Sequence, residues 1–379
     1  MSRNGHDGQY TLRRLDEEGD EQSDCIAKQP DQRFSGQPKY ALSRVGGYNI
    51  LSQMRALRER FPWLPLGSFP TRVVRAEGFP DTELWLKRDD ESGPLYGGNK
   101  VRKLEYLLGE AQARGAKRLV TIGGYGSHHV LATGILGRAA GFEVEAVVFP
   151  QPITDHVRET VTAGAAAGIH YHASASYWDL LPRIVRQRWR RGSHWVAPGG
   201  SSPIGTMGYV SAGLELAGQV ARSECPAPDV IYVALGSCGT AAGLWLGLQL
   251  AGLRCRVVAV RVVDRWVANR SATLRLGHAT ARLIDEPCAL DPDLLTVDHR
   301  FFGGAYGRVT DAAGTAVERG RELGLVLETT YTGKAFAALL ADVEAGRIAG
   351  KRALFWNTFS SVPLPRGTRE GLPPRLARL

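Results

Sequence analysis

The sequence predicts an α/β protein of two domains, each built on an open, mostly parallel sheet covered by helices. Short apolar runs alternate with helical stretches through residues 118–196 and again through 207–263. The runs are nearly continuous in apolar residues, which marks strands covered on both faces, as a helix-sandwiched parallel sheet requires. Several of the strands end in glycine-rich turns, and open α/β sheets bind ligands at such carboxyl ends.

Taken in order, residues 1–39 are polar and charged and are expected to be a disordered leader. Residues 40–75 mix short apolar runs with Pro62, Pro65 and Pro70, which suggests an irregular approach segment. Residues 83–87 read as a strand, followed by Gly97-Gly98-Asn99 and a helix from Lys100 to about Gly115. Strands are expected at 118–122, 142–149, 168–171 and 193–196, with helices at 128–140, 158–168 and 177–191 between them. Pro198-Gly199-Gly200-Ser201-Ser202-Pro203 breaks the composition and suggests a domain crossing. Beyond it come a helix at 207–222, a buried strand at 229–235, a small-residue helix at 241–251 and a strand at 255–263. Residues 264–305 are less regular, helices follow at 310–322 and 334–345, and 353–356 is a last strand. The expected division gives residues 40–102 and 197–379 to a large domain and 103–196 to a small one.

Composition excludes several classes. Hydrophobic residues make up 44% and charged residues 22%, enough for a core. No run approaches the ~18 apolar residues of a membrane span, and the N-terminus lacks a secretory apolar segment. Five widely spaced cysteines with no C-x-x-C pair point to neither a disulfide framework nor a zinc knuckle, so a reducing cytoplasm is expected. The formal charge of +9 is not accompanied by any recognisable nucleic-acid module.

Four stretches carry candidate chemistry. Lys100 stands at a helix start, where the helix dipole disfavours a cation. Partial burial there would depress its pKa and free the amine for Schiff-base chemistry with an aldehyde; the alternative is a solvated lysine. Gly236-Ser237-Cys238-Gly239-Thr240, between a buried strand and a helix, converges backbone N–H groups and can hold a phosphate, or can serve packing alone. It is neither a P-loop nor a dinucleotide fingerprint. Ser127-His128-His129 opens a helix where N–H groups could hold a carboxylate. Adjacent histidines cannot share one metal from a single turn, so no metal site is expected. Tyr331-Thr332-Gly333-Lys334 and Asn357-Thr358-Phe359-Ser360 place hydroxyls at element termini.

Together, Lys87-Arg88-Asp89-Asp90, Gly97-Gly98-Asn99-Lys100-Val101-Arg102-Lys103-Leu104-Glu105, residues 199–209 and Tyr331-Thr332-Gly333-Lys334 resemble the D-cysteine desulfhydrase / 1-aminocyclopropane-1-carboxylate deaminase family. These are pyridoxal-phosphate enzymes of the tryptophan-synthase-β fold type (fold type II). The resemblance spans about residues 60–379 and implies an active site in the cleft between the domains. It implies that Lys100 carries pyridoxal 5'-phosphate and shuttles the α-proton. Gly236, Ser237, Cys238, Gly239 and Thr240 would cradle the phosphate, and Thr358 would bond the pyridine nitrogen. Tyr331 would lie against the ring and Tyr306 would face the substrate. Ser127, His128 and His129 would meet the substrate carboxylate and the cofactor's phenolic oxygen. Two departures stand out: His128 replaces the family's usual asparagine, and Phe359 replaces a glycine.

The implied function is a lyase or deaminase acting on a small amino acid, cytoplasmic and homodimeric, that releases ammonia and a keto acid. The departures keep open a β- or γ-replacement enzyme or a racemase in a specialised pathway. An inactive binding protein on the same fold is the remaining alternative.

Overall fold

Two separate sheets organise the chain, a six-stranded one and a four-stranded one. The computed structural model describes residues 50–379 except 177 and 286–288. The expected leader, Cys25 and Cys288 lie outside the described residues.

In chain order the elements are α1 (Ile50–Arg60), β1 (Val73–Ala76), β2 (Glu83–Lys87), α2 (Asn99–Ala113), β3 (Arg118–Gly124), α3 (His128–Ala139) and β4 (Glu143–Phe149). Then come α4 (Asp155–Ala166), β5 (Ile169–Ala173), α5 (Leu180–Arg188), β6 (Ser193–Trp195), α6 (Pro203–Ala221), β7 (Val230–Leu235) and α7 (Gly239–Leu250). The rest are β8 (Arg256–Arg261), α8 (Arg270–Leu283), β9 (Leu295–Asp298), α9 (Asp311–Glu322), α10 (Thr332–Glu344), β10 (Arg352–Trp356) and α11 (Pro374–Ala377).

The larger sheet runs β1-β2-β10-β7-β8-β9, parallel except for β1 against β2. The smaller runs β5-β4-β3-β6, all parallel. Every residue of β7 is buried, because alternate side chains enter different cores. Ile231, Val233 and Leu235 pack on one side with Trp245, Met207 and Trp356. Val230, Tyr232 and Ala234 pack on the other with Phe336 and Phe355. A strand of this kind reads as a continuous apolar run, as the sequence does here.

Three regions differ from expectation. The segment expected to be irregular before residue 75 contains α1 and β1. Among the described side chains of α1, Met54 and Leu57 reach the core, with Phe61 just beyond the helix, and arginines between them obscure the stripe. The less regular stretch holds α8 and β9. The fully buried positions of α8 are Thr273, Gly277, Thr280 and Ala281, and its leucines Leu274, Leu276 and Leu283 pack on the core only partly buried, so the apolar stripe is weak. Helix α6 starts earlier than expected, because Ser202 Oγ caps Gly205 N at 3.2 Å and Pro203 takes the first turn.

A buried ion cluster ties α2 to β2 and α6. Arg102 grips Asp89 (Nη2–Oδ1 2.7 Å, Nε–Oδ2 2.8 Å) and Glu215 (Nη1–Oε2 2.9 Å). Lys87 Nζ lies 2.6 Å from Glu215 Oε1 and 2.7 Å from the Thr71 carbonyl. Tyr209 donates to Asp89 at 2.7 Å. Burial pushes the Asp89 carboxyl up, but Arg102 and Lys87 outweigh it and hold it at about 2. Two cations face two carboxylates, so the cluster is compensated where it is dry.

Candidate active site

The carboxyl ends of β3, β7 and β10 and the starts of α2, α3 and α7 enclose a cavity of about 280 Å³. Lys100 lines it, as do Ser127, His128 and His129. Gly236, Ser237, Cys238 and Thr240 line it too, with Tyr306, Tyr331 and Thr358. Of the predicted residues only Gly239 lies behind the wall, its N–H directed to Ser201 Oγ at 3.2 Å.

The turn before Lys100 is forced by close approach. Gly98 has φ of 82°, and a Cβ there would sit 2.5 Å from the Thr358 carbonyl oxygen. The Asn99 N–H donates to that same oxygen at 3.1 Å, which locks the start of α2 to the end of β10. Lys100 Nζ donates to Asn99 Oδ1 at 2.7 Å, and Asn99 Nδ2 donates to Thr240 Oγ1 at 3.0 Å. Burial pulls the Lys100 ammonium down to about 8, with Glu328 acting against it. About a tenth is then free amine at pH 7, far more than for an ordinary lysine, and that is the form that condenses with an aldehyde.

Beyond Asn99 lies a cradle for an anion. Lys103, three residues after Lys100 on the same helix face, donates to the Gly199 carbonyl at 3.1 Å and to Ser201 Oγ at 3.3 Å. Ser201 Oγ and Ser237 Oγ are 2.8 Å apart. Burial and the charge of Lys100 press the Lys103 ammonium well below its ordinary pKa. A Cβ on Gly239 would lie 2.6 Å from Ser201 Oγ and 2.9 Å from Lys103 Nζ, so only glycine lets these donors converge. Cys238 holds φ of 70° at the start of α7, a strained conformation for a non-glycine residue. Buried cation, two hydroxyls and a helix N-terminus are the donor set a phosphate dianion requires. With an amine beside them, the residues present fit pyridoxal phosphate.

The remaining lining is aromatic and hydroxylic. Tyr306 and Tyr331 share a hydroxyl contact of 2.8 Å, with rings edge to face at 6.1 Å. Burial, then the neighbouring Tyr306, raises the Tyr331 phenol well above its ordinary pKa, so it stays protonated. Ser127 Oγ caps α3 by accepting from Val130 N at 3.4 Å. The two histidines diverge. His129 is buried and its Nε2 pairs with Thr121 Oγ1 at 2.9 Å. Both ring nitrogens of His128 are engaged: Nδ1 with Tyr96 Oη at 2.5 Å and Nε2 with His156 Nε2 at 2.6 Å. A contact from His128 to a bound phenolic oxygen therefore requires one of these bonds to yield. Among the described residues no group of three His, Cys, Asp or Glu side chains could hold a metal ion, and no helix is long and apolar enough to cross a membrane.

The sequence assigned no role in the site to Asn99, Lys103, Ser201, Tyr96 or His156. The helical spacing of Lys103 from Lys100 could have revealed it. His156 had no local signal, since folding alone brings it to His128.

Comparison with known proteins agrees with this geometry. The family profile described as "Pyridoxal-phosphate dependent enzyme" matches residues 64–358. The chain is 35% identical over 312 residues to "Nocardicin C-9' epimerase" of Nocardia uniformis subsp. tsuyamanensis, covering 79% of this chain and 93% of that one. It is 31% identical over 304 residues to "D-cysteine desulfhydrase" of Salmonella paratyphi A, covering 76% and 90%. A crystal structure described as an ACC deaminase homologue superposes with a TM-score of 0.70 at 30% identity, covering 81% of this chain and 94% of that one. The fold is thus that of the fold type II enzymes, and the chain belongs to the pyridoxal-phosphate dependent enzyme family.

Proposed function

We propose that the protein is a pyridoxal-phosphate-dependent lyase or deaminase that acts on a small amino acid and releases ammonia and a keto acid. The observation that supports it is a half-buried lysine of depressed pKa in the same cavity as a phosphate cradle. Pyridoxal phosphate, when bound, supplies a sink for the electron pair left at the substrate α carbon. Lys100 takes and returns the α-proton. Lys103, Ser237 and the N–H of Thr240 at the start of α7 hold the phosphate end. Ser127 and His129, at the N-terminus of α3, receive the substrate carboxylate. Thr358 meets the pyridine nitrogen, Tyr331 lies along the ring and Tyr306 faces the substrate.

The two sheets correspond in this reading to two domains, residues 40–102 with 197–379 and residues 103–196, and the protein works as a cytoplasmic homodimer. The test is a screen of D- and L-amino acids for spectral change of the purified yellow protein, with keto acid and ammonia assayed together. Release of neither from any amino acid that perturbs the spectrum sinks this reading.

One observation favours a second reading, a racemase or epimerase: the 35% identity to a protein named as an epimerase. Inversion of an added enantiomer without ammonia release selects it.

A further inference from the structure

Removing a proton from the α carbon is half of either chemistry. A second proton must go to the leaving group or to the α carbon itself. Lys100 is one acid–base group in the cavity, and the wall beside it contains another arrangement of proton-carrying atoms. Tyr96 lines the cavity and is 2% exposed. Its hydroxyl meets His128 Nδ1 at 2.5 Å, and His128 Nε2 meets His156 Nε2 at 2.6 Å. The two imidazoles lie nearly coplanar and head to head, planes 19° apart and centroids 4.8 Å apart, and Phe359 packs edge-on against His128 at 4.8 Å. His156 is half-buried in the first turn of α4, next to Asp155, whose side chain is 94% exposed. The chain of contacts thus leads from the cavity towards the surface.

We propose that Tyr96, His128 and His156 form a proton relay that delivers a proton from solvent into the cavity, as an acid–base route separate from Lys100. This rests on the amino-acid reading above. His156 takes a proton from water at Nδ1 and passes its Nε2 proton to His128 Nε2. His128 passes its Nδ1 proton to the Tyr96 oxygen, and Tyr96 gives its own proton to the substrate. One proton enters from water, one reaches the substrate, and each relay residue ends neutral. Both imidazoles have two nitrogens, so each can receive on one side and donate on the other. Burial, then the charges of His156 and Lys100, keeps His128 neutral, and burial raises Tyr96 so that its phenol stays protonated. Phe359 bonds to neither nitrogen, so it holds the ring without intercepting the proton.

The test uses holoenzyme and two variants. His156→Gln keeps a hydrogen-bonding partner for His128 but cannot pass a proton, and His156→Phe keeps an aromatic ring at that position without a nitrogen. In deuterated water, with an amino acid the wild type converts, product formation should fall ~10²-fold in both variants. Loss of the substrate α-hydrogen through Lys100 should stay within about twofold of wild type, since relay residues contribute a separate acid–base step. Equal loss of both signals, or of neither, overturns the relay. Independently, NMR of histidine-¹⁵N-labelled protein should show one imidazole proton coupled to the Nε2 of both His128 and His156; two uncoupled nitrogens overturn it. If wild type exchanges no α-hydrogen with any amino acid, the amino-acid reading falls, and the relay is judged on the nitrogen coupling alone.

Discussion

Helix α2 presents cations on two sides, and the two sides are built differently. Arg102 meets two carboxylates in a dry cluster and is fully paired. Lys100 and Lys103 face the cavity, and among the described residues neither forms an ion pair with a carboxylate. Their partners are neutral: an asparagine, a carbonyl and a hydroxyl. A buried cation without a counter-charge is costly, so such a lysine shifts its pKa or awaits an anion. The paired side holds the fold together, and the unpaired side is where a dianion and an aldehyde fit.

Breaking the unpaired side should affect chemistry first. Lys100→Ala removes the amine and should lower turnover by ~10²–10⁴-fold while circular dichroism and melting stay near wild type. Breaking the paired side should affect the fold. Arg102→Met leaves Asp89 and Glu215 buried with Lys87 as their one remaining cation and should cost about 3–5 kcal/mol in denaturant unfolding. Lys103→Met sharpens the contrast, because its two effects have opposite signs. Cofactor affinity should fall ~10–100-fold for the loss of a charged hydrogen-bond donor, while cofactor-free protein should melt no lower than wild type, since an uncompensated cation has gone.

The smallest effect concerns pH. Cofactor-free protein should capture pyridoxal phosphate faster as pH rises to about 8 and then level off, whereas an ordinary lysine would keep gaining towards 10.5. The sign carries over to stability. Between about 8 and 10.5 the unfolded chain holds the Lys100 proton that the folded chain has released. The contribution of Lys100 therefore makes the cofactor-free fold more stable as pH rises through that window. Denaturant titrations of wild type and Lys100→Met across the window would isolate it.

The sequence made the parallel sheets legible because β7, β4 and β3 are covered on both faces and so read as apolar runs. Helix α8 escaped because its fully buried positions are threonine, glycine and alanine and its leucines are only partly buried, which weakens the hydrophobic period. At the site, Lys100 and the glycine-rich turns were visible as local chemistry, and their resemblance to one family linked them. His156 lies 28 residues from its partner on a different helix, and no spacing rule reaches it. The departure at His128 was visible in the sequence, but its meaning required knowing where both ring nitrogens point.

Lys100, and not the neighbouring Lys103, is expected to be the reacting amine. Reduce the yellow holoenzyme with borohydride, digest it and locate the added pyridoxyl group by mass spectrometry. The label should sit on the peptide bearing Lys100, on that side chain alone, and be lost in Lys100→Ala. A label on Lys103, or a reduced protein that carries none, would contradict it.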